Sequence, residues 1–158
     1  MNSSGQSNVV FIDDQGNRKV TESQTNARIL VVEDEGIVLE TLTIIFSNAG
    51  YDVRSAKSAE AALALLQTEA WAPQLAIIDV ILPGMNGIEL AISLKARYSN
   101  MRVSLYSGLA ATADLLAEAR GQGHSFDDVL PKPIHPTVLL DIASRLQSGG
   151  GRPDSTQA

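Results

Sequence analysis

The fold of this chain is decided by residues 75–79, whose sequence LAIID is a run of four apolar residues that ends in a carboxylate. A second run of the same kind, ILVV at 29–32, is followed by Glu33 and Asp34. A strand with one exposed face would alternate apolar and polar residues, whereas wholly apolar runs are typical of strands covered on both faces. We therefore expect a parallel sheet with helices packed on both of its sides.

Strand-like and helix-like segments alternate along the chain around these two runs. The predicted strands are 29–32, 51–56, 75–78, 103–106 and 129–130, and the predicted helices are 36–48, a helix that begins after Ser58, 88–98, 111–119 and 136–146. Apolar residues recur at helical spacing in 36–48, and Ser58 and Pro136 are residue types that begin helices. This alternation indicates a doubly wound α/β domain with a five-stranded parallel sheet, which we place at residues 27–147.

Polar side chains follow four of the predicted strands at the point where each strand ends. Glu33 and Asp34 follow the first strand, Asp79 the third, Ser107 the fourth and Lys132 the fifth. Parallel strands bring their carboxyl ends to one edge of the sheet, and doubly wound domains bind ligands at that edge. Carboxylates crowded together there repel one another and favour a hard cation that takes oxygen ligands.

Four blocks of the sequence resemble, in order and in spacing, the conserved blocks of response-regulator receiver domains. The blocks are ILVVEDE at 29–35, IIDVILPGMNG at 77–87, SG at 107–108 and KPI at 132–134. The resemblance covers about residues 27–147 and implies a flavodoxin-like receiver fold with strand order 2-1-3-4-5. It also implies a stand-alone, chemotaxis-regulator-like receiver, since we expect no second globular domain in the sequence.

The resemblance implies a Mg²⁺-dependent phosphoacceptor site. In the family, the aspartate that corresponds to Asp79 accepts a phosphoryl group from a phosphohistidine of a sensor histidine kinase or a His-phosphotransfer protein. The implied Mg²⁺ ligands are Asp34, Asp79, the backbone carbonyl of Ile81 and, through a water molecule, Glu33. We expect no enzyme activity beyond the domain's own phosphorylation and a slow self-dephosphorylation.

The remaining conserved groups have implied roles in the same site. Lys132 would donate hydrogen bonds to the phosphoryl oxygens, and the Lys132–Pro133 bond is usually cis in the family. The hydroxyl of Ser107 would bond the new phosphate and act as the switch. The family's usual surface for a downstream protein is the face formed by the fourth strand, fourth helix, fifth strand and fifth helix.

Two departures from the family pattern lead to further expectations. Many receivers have an aromatic switch residue three positions before the lysine, where this chain has Val129. We expect rearrangement around Ser107 and the fourth helix to transmit the signal, with Tyr106 as a partial substitute for the missing ring. Ile81 and Leu109 stand where family members modulate attack by water, and apolar side chains there predict slow loss of the phosphoryl group.

Other functions remain open at different levels of support. A phosphate sink or relay intermediate would need fast turnover, which Ile81 and Leu109 argue against. A phosphorylation-independent scaffold would not need the complete set of acids, serine and lysine. A metal-dependent phosphatase of another α/β class needs a second aspartate at position 81, and a flavin site would not tolerate the acids at 33–35.

The composition of the 158-residue chain excludes further classes of function. The net charge of −6, without a basic stripe, argues against nucleic acid as a direct partner. The absence of cysteine excludes disulfides and thiolate metal sites. No secretory signal and no apolar stretch of about 18–20 residues is recognisable, so we expect a cytoplasmic protein that does not bind membranes.

The composition of both ends of the chain indicates that they lie outside the domain. Residues 1–26 form a polar extension in which two short apolar segments flank 13–17 and could pair as a small hairpin. Residues 148–158 are rich in glycine and small polar residues and are predicted to be disordered.

Overall fold

A parallel sheet of five strands forms the centre of the computed structural model, which describes residues 9–21, 26–108 and 112–146. The strands are β1 (Val9–Ile12), β2 (Arg18–Thr21), β3 (Arg28–Val32), β4 (Asp52–Ala56), β5 (Leu75–Asp79), β6 (Arg102–Ser107) and β7 (Asp128–Pro131), and the helices are α1 (Gly36–Asn48), α2 (Ala59–Thr68), α3 (Gly87–Arg97), α4 (Thr112–Gly121) and α5 (Pro136–Ser144). In this described part of the chain, no helix is both long enough and apolar enough to span a membrane.

The strand order of the sheet confirms the predicted topology. Its strands lie in the order β4-β3-β5-β6-β7, which is 2-1-3-4-5 when the strands of this sheet are numbered alone. All neighbouring pairs are parallel, and the register sets Val32 beside Ile78 and Asp79 beside Tyr106. The strand order therefore reverses between β3 and β5. In sheets of this kind the carboxyl ends of the strands at the reversal border a cleft.

Helices cover the sheet on both faces, as the apolar runs predict. Successive residues of a strand point to opposite faces. Leu30 and Ile78 belong to one core with α2, α3 and α4, whereas Val31 and Ile77 belong to the other core with α1 and α5. Every residue of β5 is buried. The central strand thus has no exposed face, which explains why its sequence lacks polar alternation.

The predicted element boundaries lie within two residues of those in the structure, and helix α1 spans 36–48 as predicted. Helix α3 ends at Arg97 because the backbone of Tyr98 leaves the helical conformation there. The second strand of the sheet begins at Asp52 and not at Tyr51, whose ring packs edge-on against Phe46. The fifth strand extends over Asp128–Pro131, beyond the two residues predicted.

A separate antiparallel hairpin lies in the N-terminal extension, where the sequence suggests one. Its strands β1 and β2 pair Val10 with Val20 across the turn at 13–17. The Asp13 carboxylate accepts hydrogen bonds from the N–H groups of Gln15 and Asn17, which closes the turn. The predicted disordered tail at 148–158 falls outside the described residues.

The turn from β5 into α3 depends on a glycine at its end. The Gly87 N–H donates to the Val80 carbonyl at 3.0 Å, so the chain folds back directly over the end of β5. A Cβ at Gly87 would lie 2.0 Å from the carbonyl oxygen of Asp79. No side chain fits in that space, so the residue that follows the loop must be glycine for Asp79 to keep its place. The Asn86 side chain then caps the helix.

We predict that Gly87→Ala lowers the free energy of unfolding by about 1–3 kcal/mol, because the added methyl forces the loop away from β5. Urea denaturation measures this change. The matched control is Gly36→Ala at the start of α1, where an added Cβ meets nothing within 4 Å. Equal stability of the two variants would contradict the packing argument.

Candidate functional site

The predicted site residues come together in one cleft at the carboxyl edge of the sheet. The cleft has a volume of about 500 Å³ and is lined by Glu33, Asp34, Glu35, Asp79, Ile81, Ser107, Gly108 and Lys132. Each of these residues lies at or just beyond the end of β3, β5, β6 or β7. Leu109, which the sequence places beside the same cleft, lies outside the described residues.

Asp79 is a buried carboxylate that is held by two donors. It is only 3% exposed. Its Oδ1 accepts a hydrogen bond from the Ile81 N–H at 3.0 Å, and its Oδ2 accepts one from Lys132 Nζ at 2.8 Å. Burial raises the pKa of Asp79, and the nearby charge of Glu33 adds to this; Lys132 and the Ile81 N–H oppose the rise without cancelling it. An additional cation in the cleft would therefore favour the ionised form of Asp79.

Three carboxylates converge closely enough to hold a hard cation. Oxygen atoms of Glu33, Asp34 and Asp79 all lie within 4.8 Å of one another. Among the residues that the structure describes, this is the one such cluster of acidic, histidine or cysteine side chains. Glu33 and Asp79 are buried, and Asp34 is exposed at the rim. The oxygen-only donor set fits Mg²⁺, which keeps several waters and binds through one or two carboxylates.

Glu33 is the most enclosed acid of the cluster, at 1% exposed. Its Oε1 accepts a hydrogen bond from the Glu35 N–H at 3.0 Å, and its Oε2 accepts one from the Tyr106 hydroxyl. Burial by itself would raise the pKa of Glu33, but the hydrogen bonds from Tyr106 and Glu35 and the charge of Lys132 outweigh burial and lower it. Glu33 therefore stays ionised inside the protein.

Lys132 supplies the positive charge of the cleft. Its Nζ lies 2.8 Å from Asp79 Oδ2 and 3.4 Å from Glu33 Oε2. Burial by itself would lower the pKa of Lys132, but the hydrogen bonds and charges of Asp79 and Glu33 raise it overall. The ammonium group thus remains protonated. The Lys132–Pro133 peptide bond is cis, as the family resemblance implies.

Ser107 lies half-buried at the end of β6 and lines the cleft together with the acids. Its backbone carbonyl accepts a hydrogen bond from the Lys132 N–H at 3.1 Å, which ties the end of β6 to the end of β7. Gly108 leaves room beside Lys132, since a Cβ there would lie 3.5 Å from the lysine Cβ. The backbones of Ser107 and Lys132 are therefore held next to each other where they line the cleft.

Tyr106 is placed differently from the partial switch that the sequence suggested. It is buried, at 2% exposed, and its hydroxyl is committed to Glu33. Burial, followed by the hydrogen bond and charge of Glu33, raises the pKa of Tyr106 far above its ordinary value, so the hydroxyl remains a donor. Val129, at the family's aromatic position, is 39% exposed. The Tyr106–Glu33 contact was not predicted, because it depends on the directions in which side chains of two different strands point.

Glu60 is a second residue that the sequence did not identify. It projects from α2, and its Oε1 accepts a hydrogen bond from the Met85 N–H at 3.0 Å, in the loop between β5 and α3. That hydrogen bond lowers the pKa of Glu60. In the same loop, Gly84 has a φ of 73°, a conformation that favours glycine. Glu60 thus braces the loop that carries Ile81.

Known proteins are similar to this chain in sequence and in fold. A sequence model of the response regulator receiver domain matches residues 29–144. The chain is 37% identical over 119 residues to the response regulator protein FleR of Pseudomonas aeruginosa. The aligned region covers 75% of this chain and 24% of FleR. It is 32% identical over 127 residues to the DNA-binding response regulator MtrA of Mycobacterium tuberculosis. That aligned region covers 80% of this chain and 53% of MtrA.

Solved structures of receiver domains have a similar fold. A CheY-like response regulator receiver domain protein from Methanospirillum hungatei has a TM-score of 0.68 and 28% identity, over 78% of this chain and 96% of that one. The signal receiver domain of a histidine kinase from Syntrophus aciditrophicus has a TM-score of 0.66 and 30% identity, over 84% of this chain and 98% of that one.

The chain therefore belongs to the response regulator receiver domain family. It carries the receiver domain of a two-component response regulator, a family that generally binds Mg²⁺ in an acidic pocket. The chain spans 24% of the length of FleR and 53% of that of MtrA, so the likeness extends only to their receiver parts.

We predict that Mg²⁺ stabilises the protein through the acidic cluster. At ten times the dissociation constant, the free energy of unfolding rises by about 1.4 kcal/mol, because the ion binds the folded state alone. Asp34→Asn removes most of this rise, measured as a shift in thermal midpoint with and without Mg²⁺. The control, Asp141→Asn, removes the same charge from an exposed site on α5 and keeps the full shift. An unchanged shift in Asp34→Asn would contradict the assignment.

Proposed function

We propose that this chain is a phosphorylation switch in which Asp79 accepts a phosphoryl group from a phosphohistidine of a sensor histidine kinase or a His-phosphotransfer protein. The observation that carries the proposal is a buried Asp79 carboxylate, 2.8 Å from Lys132, within a cluster of three acids. Structural ion pairs rarely gather a surplus of buried acids at a cleft, because the unpaired charge is costly. A site that binds a cation and a phosphoryl group uses that surplus.

The residues of the cleft account for each step of the transfer. An oxygen of Asp79 attacks phosphorus; the new P–O bond forms as the P–N bond of the donor breaks, and that electron pair returns to the imidazole nitrogen. Asp34, Asp79, the Ile81 carbonyl and, through water, Glu33 would hold the Mg²⁺. Bound there, the ion supplies positive charge against the phosphoryl oxygens.

Lys132 and Ser107 complete the product state. Lys132 bonds Asp79 before the reaction and passes to a phosphoryl oxygen after it, so its charge is paired in both states. The Ser107 hydroxyl then donates to another phosphoryl oxygen. The backbone N–H of Lys132 donates a hydrogen bond to the backbone carbonyl of Ser107. Movement at the end of β6 is therefore transmitted to the end of β7.

We propose that output is phosphorylation-dependent binding of a downstream protein to the face of β6, α4, β7 and α5. Val129 offers no ring to swing, and the Tyr106 hydroxyl is committed to Glu33. The rearrangement that transmits the signal is then expected around Ser107 and α4. Hydrogen exchange that changes in residues 106–115 on phosphorylation supports this route, and unchanged exchange there contradicts it.

An apolar groove beside the cleft supports docking of the phosphodonor protein. The groove, of about 520 Å³, lies between α1 and α5 and shares Glu35 and Lys132 with the cleft. Ile37, on its α1 wall, is 77% exposed. Large exposed apolar side chains next to a reactive group favour a protein contact, since a donor histidine has to be brought directly over Asp79.

We propose a long phosphoryl lifetime and a cytoplasmic location. Ile81 is exposed at the cleft and has no polar group with which to orient an attacking water. A slow decay favours the binding switch over the alternative of a phosphate sink or relay. The chain contains no cysteine, which is compatible with a reducing compartment.

Acetyl phosphate tests the acceptor directly. We expect intact mass to increase by one phosphoryl group in the presence of Mg²⁺, no increase without Mg²⁺, and none in Asp79→Ala. Asp141→Asn, with the same loss of charge outside the cleft, keeps the increase. The label should persist for more than about a minute, because Ile81 does not assist hydrolysis. Labelling of Asp79→Ala would refute the acceptor, and faster decay would favour the sink.

Docking on the groove is tested with a protein donor. We expect Ile37→Glu to slow transfer from a phosphorylated sensor histidine kinase about tenfold, because the contact would then bury a charge. The control is Ile44→Glu on the same helix, exposed but outside the groove. Both variants should accept phosphate from acetyl phosphate at the wild-type rate. A loss of that rate would show damage to the cleft itself.

A further inference from the structure

Lys132 lies between two carboxylates that compete for its ammonium group. Its Nζ is 2.8 Å from Asp79 Oδ2 and 3.4 Å from Glu33 Oε2. Both acids are at least nine-tenths buried, so water cannot neutralise either of them. The place of Lys132 is therefore set by which of the two oxygens attracts it more strongly.

Tyr106 acts on this competition from the side of Glu33. Its hydroxyl donates to Oε2, which is the same oxygen that faces Lys132. A donated hydrogen bond occupies a lone pair and draws charge from the oxygen, so Glu33 attracts Lys132 less. The Tyr106 ring also lies 4.8 Å from Lys132 Nζ, a contact that does not depend on the hydroxyl.

We propose that Tyr106 is a positioning residue, whose hydroxyl satisfies Glu33 and thereby keeps Lys132 on Asp79. The proposal rests on the proposed function of Asp79 as phosphoacceptor and deepens it. Lys132 at Asp79 is already next to the oxygen that receives phosphorus, whereas a Lys132 drawn onto Glu33 would have to shift back toward Asp79 during the reaction.

The fold holds Tyr106 in place for this role. Tyr106 pairs with Asp79 in the register of β5 and β6 and immediately precedes Ser107. Its ring belongs to the core that α1 and α5 cover, so it cannot turn away without opening that core. The hydroxyl is thus delivered to Glu33 by the sheet itself.

Tyr106→Phe tests the proposal, since it removes the hydroxyl and keeps the ring. With acetyl phosphate at saturating Mg²⁺, we expect the phosphorylation rate to fall about tenfold, the size typical of a hydrogen bond to a buried charge. In a crystal structure of the variant, Lys132 Nζ should lie closer to Glu33 than to Asp79. Tyr51→Phe, a buried tyrosine of the same core, should keep the wild-type rate.

A second substitution distinguishes positioning from packing. Glu33→Gln removes the competing charge with little change in shape, so the double variant Tyr106→Phe/Glu33→Gln should react faster than Tyr106→Phe alone. Each variant is measured at its own saturating Mg²⁺, because Glu33 also contributes to the metal site. Such a rescue is not expected if the hydroxyl merely stabilises the core.

Two results would overturn the proposal: Lys132 remaining on Asp79 in the Tyr106→Phe structure, or equal slowing of the reaction in both backgrounds. A wild-type chain that accepts no phosphoryl group would instead contradict the proposed function. In that case the crystal structure of Tyr106→Phe still decides whether the hydroxyl positions Lys132.

Discussion

The structure of the site depends on one ion pair, between Lys132 and the buried Asp79. Around it, the sheet gathers two further acids, so that one ammonium group faces more negative charge than it can neutralise. The imbalance is tolerable because Glu33 receives two additional hydrogen bonds and Asp34 reaches solvent. The fold thus leaves an excess of negative charge in the cleft, and a bound cation would compensate it.

The parallel sheet provides the rigidity that such a cluster requires. Strand β5 is buried throughout, and Gly87 packs against the backbone of Asp79 so closely that no side chain fits between them. Helix α2 contributes Glu60, which accepts a hydrogen bond from the Met85 N–H in the loop that follows β5. The packing around β5 fixes the backbone of Asp79, and hydrogen bonds from Ile81 and Lys132 fix its carboxylate.

Much of this arrangement was predictable from the sequence, because apolar runs reveal buried strands and the residues that follow them share one edge. Asp79, Lys132 and Glu33 were assigned to the cleft in this way. The Tyr106–Glu33 hydrogen bond was not predictable, since it depends on side-chain directions across two strands. The end of helix α3 was misplaced by one residue, because the backbone of Tyr98 leaves the helical conformation there. The influence of Leu109 stays a prediction, because it falls outside the described residues.

The groove between α1 and α5 has a wall in common with the acidic cleft, formed by Glu35 and Lys132. Two binding sites that share a wall are thermodynamically linked, and linkage is reciprocal. If phosphate on Asp79 weakens the hold of the groove on its occupant, the occupant destabilises the aspartyl phosphate by the same factor. A protein that leaves this groove after transfer would thus leave the aspartyl phosphate more stable than it was in the complex.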